Sequence, residues 1–138
     1  MTYILTKSLR IEAAHTLPNH QGKCSRLHGH SFLVTVEIQA ADIQASGPQA
    51  GMAMDYADIA APLRDVSDEY LDHHYLNATT GLENPTSEAL ARWIFERLVP
   101  TLAPHLAAVT VAETCTCAAT YRPTQFFDGS PFGSGPDA

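Results

Sequence analysis

The architecture of this chain is clearest in residues 24–38, which read Cys24-Ser25-Arg26-Leu27-His28-Gly29-His30-Ser31-Phe32-Leu33-Val34-Thr35-Val36-Glu37-Ile38. From Phe32 onward every second residue is apolar, which is typical of a strand with one buried face. In a strand that starts at His28, both His28 and His30 lie on that same face. The run therefore predicts a strand from about His28 to Ala40 with two imidazoles at its start.

An earlier run, from Tyr3 to Ala14, also alternates and predicts a second strand, with His15 at its end. If the loop of residues 16–27 joins the two strands, His15 comes close to His28 and His30. Three neutral imidazoles are a natural set of zinc ligands, and three protein ligands leave the metal an open position for water or substrate. The spacing therefore predicts a catalytic zinc site on these three histidines.

Cys24 lies four residues before His28 and has two possible roles. As a fourth ligand, its thiolate would close a structural zinc site. As a free thiol beside the metal, it would serve as a base or a nucleophile. Sequence spacing does not distinguish these two roles.

Two helices are predicted between the second strand and the C-terminal third of the chain. Apolar residues from Tyr56 to Tyr70 recur at steps of three and four, with Asp55 as a candidate cap. Pro62 predicts a kink or a later start for that helix. A second helix is predicted to begin in Asn84-Pro85-Thr86-Ser87-Glu88 and to end at Pro100 and Pro104, with residues 71–82 as a loop before it.

Alternating residues near the C-terminus predict a third strand from Val109 to Cys115 and a fourth from Ala118 to Arg122. The order of elements is then strand-strand-helix-helix-strand-strand. This order favours an α+β fold, with an antiparallel sheet and two helices on one face. Residues 1–122 are predicted to form one domain, and residues 123–138, rich in Gly, Pro and Ser, are predicted to fray.

Two further positions carry candidate chemistry. Asp72 can orient His73 for proton transfer, although adjacent side chains in an extended segment normally face different partners. On these residues alone, an ordinary polar loop is the favoured interpretation of the pair. Glu113 lies among apolar residues, where a carboxylate needs partners, such as the paired N–H donors of a heterocycle. An exposed position, or an ion pair with Arg10 or Arg122, is an equal alternative for Glu113.

Composition excludes several classes of function. The net charge is −7 with only eight Lys and Arg residues, so a general nucleic-acid surface is not expected, although a metal or a local cluster can still attract an anionic substrate. The N-terminus lacks the layout of a signal peptide, and no apolar run approaches transmembrane length. Three cysteines, an odd number, favour a reducing cytoplasm over a disulfide framework.

Five segments together resemble the 6-pyruvoyl-tetrahydropterin synthase family, and most closely its bacterial branch, which makes 6-carboxy-tetrahydropterin for queuosine (7-deazaguanine) biosynthesis. They are Ile11-Glu12-Ala13-Ala14-His15, Cys24-Ser25-Arg26-Leu27-His28-Gly29-His30-Ser31, Leu71-Asp72-His73-His74-Tyr75-Leu76-Asn77, Gly81-Leu82-Glu83-Asn84-Pro85-Thr86-Ser87-Glu88 and Glu113-Thr114-Cys115-Thr116. The resemblance covers about residues 3–122. It implies a tunnelling fold (T-fold), in which three subunits close a barrel of strands and two trimers commonly stack into a homohexamer.

The resemblance also implies a reaction. A zinc-dependent lyase would convert 7,8-dihydroneopterin triphosphate into 6-carboxy-5,6,7,8-tetrahydropterin, acetaldehyde and triphosphate. The alternatives are a 6-pyruvoyl-tetrahydropterin synthase, which eliminates only triphosphate, and a non-catalytic protein with structural zinc.

Roles for individual residues follow from the same resemblance. It implies zinc on His15, His28 and His30, and catalysis by Cys24, Asp72 and His73, with contributions from different subunits. It implies that Glu113 binds the pterin edge, helped by Thr86 and Ser87. Lys23 and Arg26 are the nearby cations that would meet the triphosphate, and His74 is expected to be a structural neighbour.

Overall fold

A computed structural model describes residues 2–123 of the chain. Its core element is an antiparallel sheet of four strands in the order β1-β2-β3-β4. The strands are β1 (Tyr3–His15), β2 (His28–Ala40), β3 (Leu106–Thr114) and β4 (Cys117–Tyr121). The predicted bounds of β2 are confirmed, and β1 extends one residue further than predicted, so that His15 belongs to the strand. The predicted tail is residues 123–138, and all of it except Pro123 lies outside the described residues.

Helices fill the long connection between β2 and β3. Helix α1 (Tyr56–Val66) starts where predicted, because the Asp55 carboxylate accepts the N–H of Ala57 at 2.9 Å. Pro62 lies inside α1 and does not delay its start. A single π-helical turn (Ser67–Leu71) then continues the chain toward Asp72.

Two helix predictions need correction. Residues 71–82 were expected to form a loop, but they contain a short helix, α2 (Leu76–Thr80), which stops before Gly81 at a φ of 75°. Five residues are too few to give a readable helical period. Helix α3 (Ser87–Leu102) also continues through Pro100, which was expected to end it. Pro100 lies in the last turn of α3, where its missing N–H removes one backbone bond, to the Glu96 carbonyl, without ending the helix.

The core lies between one face of the sheet and the helices. The inward side chains of β2, namely Phe32, Val34, Val36 and Ile38, are completely buried. Helix α3 contributes Leu90, Ile94 and Leu98 to the same core, and α1 contributes Ile59 and Leu63. The sheet therefore has helices on one face, as predicted.

The other face of the sheet is polar. Ser8 pairs with Thr35 at 2.7 Å between hydroxyl oxygens, and Thr110 pairs with Thr120 at 2.6 Å. Glu37 and Arg122 form a two-point ion pair on the same face. The hydrogen bond from Arg122 lowers the pKa of the Glu37 carboxyl.

The histidines lie where the buried face reaches the end of the sheet. In the pairing of β1 with β2, Ile11 faces Phe32, Ala13 faces His30 and His15 faces His28. Because side chains alternate along a strand, the three imidazoles continue the row of core residues. The hairpin therefore places the three rings side by side, as the spacing predicts.

A segment that follows the π-helical turn covers the outer edge of β1 near this end. The N–H of His73 donates to the Glu12 carbonyl at 2.6 Å, and the N–H of Ala14 donates to the His74 carbonyl at 3.2 Å. Tyr75 forms a parallel bridge with Ala14. This part of β1 is therefore paired on both sides, and the segment is held beside the histidines.

None of the described helices is long and apolar enough to cross a membrane.

Candidate metal centre

His15, His28 and His30 turn their ring nitrogens toward one another. The Nε2 atoms of His15 and His28 are 2.9 Å apart. The ring centroids of the three histidines are separated by 4.5 to 5.2 Å. His15 is completely buried and also contacts the ring of Phe32. The three imidazoles therefore form one compact group anchored in the core.

Backbone carbonyls set which nitrogen of two rings carries the proton. His15 Nδ1 lies 2.8 Å from the Pro85 carbonyl oxygen, and His28 Nδ1 lies 2.6 Å from that of Arg26. A carbonyl can only accept, so each Nδ1 carries the proton and each neutral ring keeps a lone pair on Nε2. Two such lone pairs 2.9 Å apart repel each other, whereas a cation bound by both removes the repulsion. Such outer hydrogen bonds are typical of metal-binding histidines.

Glu113 joins the histidines. Its Oε1 atom lies 3.0 Å from His30 Nε2 and 3.5 Å from His15 Nε2. His30 Nε2 is nevertheless buried without a hydrogen-bond partner among residues 2–123, because the geometry to Glu113 is not that of a hydrogen bond. One donor atom from each of the four side chains lies within 4.8 Å of the others. These atoms converge on a common point, and three imidazoles with a carboxylate are a set that fits zinc.

Burial keeps His15 in the form that a metal needs. Burial lowers the pKa of His15, and the neighbouring His28 and His30 lower it further. The hydrogen bond to the Pro85 carbonyl and the Glu113 carboxylate act in the opposite direction. The net direction is downward, so His15 is neutral at neutral pH and its lone pair is free for a cation.

Cys24 is not part of this convergent group in the described region of the chain. It is half-buried in a 3₁₀ turn (Lys23–Ser25), and its carbonyl accepts the N–H of Leu17 at 2.8 Å. That bond joins the two sides of the loop between β1 and β2. The fourth donor near the histidines is thus Glu113, a position that the spacing of the histidines did not indicate.

Asp72 and His73 are bonded to each other, contrary to the expectation that neighbours in sequence face different partners. His73 Nδ1 lies 2.8 Å from Asp72 Oδ2, because His73 adopts a left-handed backbone with a φ of 60°. The N–H of Glu12 donates to Asp72 Oδ1 at 2.8 Å. This bond and the contact with His73 lower the pKa of the Asp72 carboxyl, so it is ionised at neutral pH.

An open groove of about 560 Å³ is lined by one residue of each group, His30 and His73. Glu12 and Tyr75 also line it. Its volume falls within the usual range for sites that bind small molecules, about 300–1,000 Å³. The His73 side chain is 80% exposed in the groove, and a bound molecule can therefore reach it.

Thr86 and Ser87 stand at the start of α3, directly after Pro85. The Thr86 hydroxyl oxygen accepts the N–H of Ala89 at 3.1 Å and caps the helix, while Ser87 is buried. The two residues therefore directly follow Pro85, whose carbonyl bonds His15. The backbone partners of this site, Pro85, Arg26 and Glu12, could not be predicted from sequence, because every residue type has a backbone carbonyl.

Comparisons with known proteins agree on one family. Residues 4–124 match the family model described as 6-pyruvoyl tetrahydropterin synthase. The 6-carboxy-5,6,7,8-tetrahydropterin synthase of Synechocystis sp. is 48% identical over 119 residues, which cover 86% of this chain and 92% of that relative. The protein of the same name from Haemophilus influenzae is 28% identical over 138 residues, which cover 86% and 97%.

The solved structures extend this agreement to the fold. The structure of Caenorhabditis elegans 6-pyruvoyl tetrahydropterin synthase superposes with a TM-score of 0.77 at 25% identity. It covers 90% of this chain, and this chain covers 97% of it. The predicted tunnelling fold is thereby confirmed for the described residues.

Proposed function

Because the chain belongs to the 6-pyruvoyl tetrahydropterin synthase family, we propose that it is a zinc-dependent lyase acting on 7,8-dihydroneopterin triphosphate. The products would be 6-carboxy-5,6,7,8-tetrahydropterin, acetaldehyde and triphosphate, in the pathway to queuosine. The observation that carries this proposal is the convergence of three histidines, one of which, His30, lines a groove together with His73. The 48% identity to a relative named 6-carboxy-5,6,7,8-tetrahydropterin synthase favours this branch of the family.

His15, His28 and His30 would hold the zinc. Bound there, zinc would supply a Lewis acid that polarises the hydroxyl groups of the substrate side chain. The residues around the histidines keep that set in place. Pro85 and Arg26 fix two of the rings through Nδ1, and Phe32 packs against His15 and His30.

Asp72 and His73 would move protons to and from the substrate. The Asp72 carboxylate accepts the Nδ1 proton of His73, which leaves Nε2 of that ring available for exchange with a ligand in the groove. The N–H of Glu12 holds the carboxylate, and the Glu12 carbonyl holds the backbone of His73. Orientation of a histidine by a carboxylate contributes to catalysis by keeping the ring in one tautomer.

Cys24 is assigned the role of the base that removes a proton from the substrate side chain. Its absence from the group of donors around the metal supports a catalytic role over a structural one. Lys23 and Arg26 flank it and offer positive charge to the triphosphate, in a chain whose net charge is −7. A second subunit that contributes to the groove would complete the site, consistent with the 80% exposure of His73.

Glu113 is assigned to the pterin. A carboxylate with two oxygens can accept the paired N–H donors of the pterin edge, and Glu113 is exposed enough, at 30%, to be reached by a ligand. Thr86 and Ser87 are assigned to the same part of the substrate. The cap bond of Thr86 uses only its oxygen as an acceptor, so the hydroxyl proton remains available to a ligand.

The chain would form a homohexamer in the cytoplasm. A homohexamer formed by two stacked trimers would pair the outer strands of neighbouring sheets, which here are β1 and β4. Tyr3 and Ile4 are large side chains left exposed at the start of β1. The three cysteines are free in the structure, which suits the reducing cytoplasm.

One assay tests the reaction. The zinc-loaded protein is incubated with 7,8-dihydroneopterin triphosphate, acetaldehyde is measured, and the pterin product is identified by mass. Acetaldehyde and a 6-carboxy product in equal amounts support the proposal. The likeness to the C. elegans synthase favours the second candidate, 6-pyruvoyl-tetrahydropterin synthase, which would release triphosphate without acetaldehyde. Zinc binding with no turnover at all would leave only the structural-zinc alternative.

A further inference from the structure

Glu113 is the extra residue of a β-bulge. In the pairing of β3 with β4, Ala112 faces Ala118 and Thr114 faces Cys117. Two steps along β3 therefore correspond to one step along β4, and Glu113 has no residue opposite it. Bulges of this kind redirect a side chain and are common beside active sites.

The Glu113 carboxylate points at the histidines. Its Oε1 atom is 3.0 Å from His30 Nε2 and 3.5 Å from His15 Nε2, yet His30 Nε2 has no hydrogen-bond partner in the described part of the chain. If the carboxylate were simply hydrogen-bonded to His30, this nitrogen would be satisfied. The arrangement is instead that of several donor atoms around a shared centre.

We propose that Glu113 is the fourth ligand of the metal when no substrate is bound, and that the pterin displaces it. This inference rests on the proposed function, because it takes the metal on the three histidines as given. Three neutral imidazoles leave the double charge of a divalent cation uncompensated, and a carboxylate within reach reduces it. Because the same carboxylate would accept the N–H groups of the pterin edge, binding of the substrate would free a coordination position on the metal.

Metal affinity and cobalt absorption, both measured without substrate, test the first half of this proposal. Cobalt(II) replaces zinc, and its visible absorption reports the number and type of ligands. Glu113→Gln is expected to weaken cobalt binding about tenfold or more, at least as much as the loss of an outer partner, and to change the visible spectrum. Glu69→Gln, which removes an exposed carboxylate on the π-helical turn, is the matched control for net charge and should change neither.

Glu113→Asp separates ligation from charge and guards against a variant that fails to fold. It keeps the negative charge but shortens the side chain by one methylene group, and is expected to show the same spectral change as Glu113→Gln. Addition of 7,8-dihydroneopterin, which lacks the triphosphate, should change the cobalt spectrum of the original protein. In either variant the same addition should change it much less.

The outcomes separate this inference from the proposed function. If both variants keep the affinity and the spectrum of the original protein, Glu113 is not a ligand and the inference is wrong, whatever the enzyme makes. If the variants lose affinity but the original protein produces no 6-carboxy product, the inference stands and the proposed reaction fails. If the pterin leaves the spectrum of the original protein unchanged, displacement by substrate is refuted.

Discussion

Replacement of His28 by Ala should remove the stabilisation that a metal gives this protein, while changing the metal-free protein little. A ligand that binds only the folded state, present at one hundred times its Kd, stabilises it by about 2.7 kcal/mol. Unfolding carries an entropy of about 2.1 cal/mol/K per residue, which over 138 residues is about 0.29 kcal/mol/K. Zinc should therefore raise the melting temperature of the original protein by about 9 °C.

In the metal-free protein His28→Ala is expected to cost less than about 1 kcal/mol. The substitution loses the bond to the Arg26 carbonyl, but it also removes the Nε2 atom that faces His15 Nε2 at 2.9 Å. With zinc present, the variant should show almost none of the rise of about 9 °C expected for the original protein.

Thermal melts followed by circular dichroism measure both effects, at one protein concentration because assembly also affects the midpoint. His105→Ala is the control, since His105 lies outside the group of four donors. Among the described residues its side chain bonds only the Gln39 carbonyl, at 3.2 Å. The His105→Ala variant should keep the full rise. An equally large rise with zinc in His28→Ala would show that these histidines do not hold the metal. Direct metal analysis of the same variant should find its zinc content strongly reduced.

Three further predictions concern other parts of the chain. Cys24→Ala should keep its zinc and lose activity, because a base can be deleted without emptying the histidine site; parallel loss of zinc would indicate a ligand instead. Arg122→Gln should lower the free energy of unfolding by about 1 kcal/mol at neutral pH. The folded-state pKa of Glu37 is lowered, so the difference in stability should disappear as pH falls below the ordinary carboxyl range. Urea titrations of metal-free protein measure this difference. A difference that persists at low pH would contradict its origin in the Glu37 carboxylate. A chain that ends after Arg122 should still assemble and turn over substrate, since the removed residues are rich in Pro and Gly, and dissociation on a sizing column would refute this.

The sheet and the histidine group could be predicted because their signals are long and repetitive. In β2 the alternation from Phe32 to Ile38 fixes which face is buried, and the strand bounds His28 and Ala40 follow from it. Once β1 and β2 form a hairpin, the register of the two strands pairs His15 with His28. Periodicity and pairing are properties that a sequence carries directly.

The remaining features depend on single backbone conformations. The bulge at Glu113 adds one residue to β3 relative to β4, and the residue types of β3 do not reveal it. The bond between Asp72 and His73 occurs with a positive φ at His73. A glycine at that position would have predicted this backbone conformation, but a histidine does not. Sequence therefore indicated which residues come close together better than it indicated how those residues are oriented.

The bridge between Ala14 and Tyr75 has a mechanical consequence. Through it, and through the backbone bonds of Glu12, the pair Asp72 and His73 is fastened to the same strand that ends at His15. Glu12 and His15 are three residues apart, or about 10 Å along an extended strand. The three histidines and the pair Asp72 and His73 are thus attached to the same strand, so a shift of that strand would move both groups together.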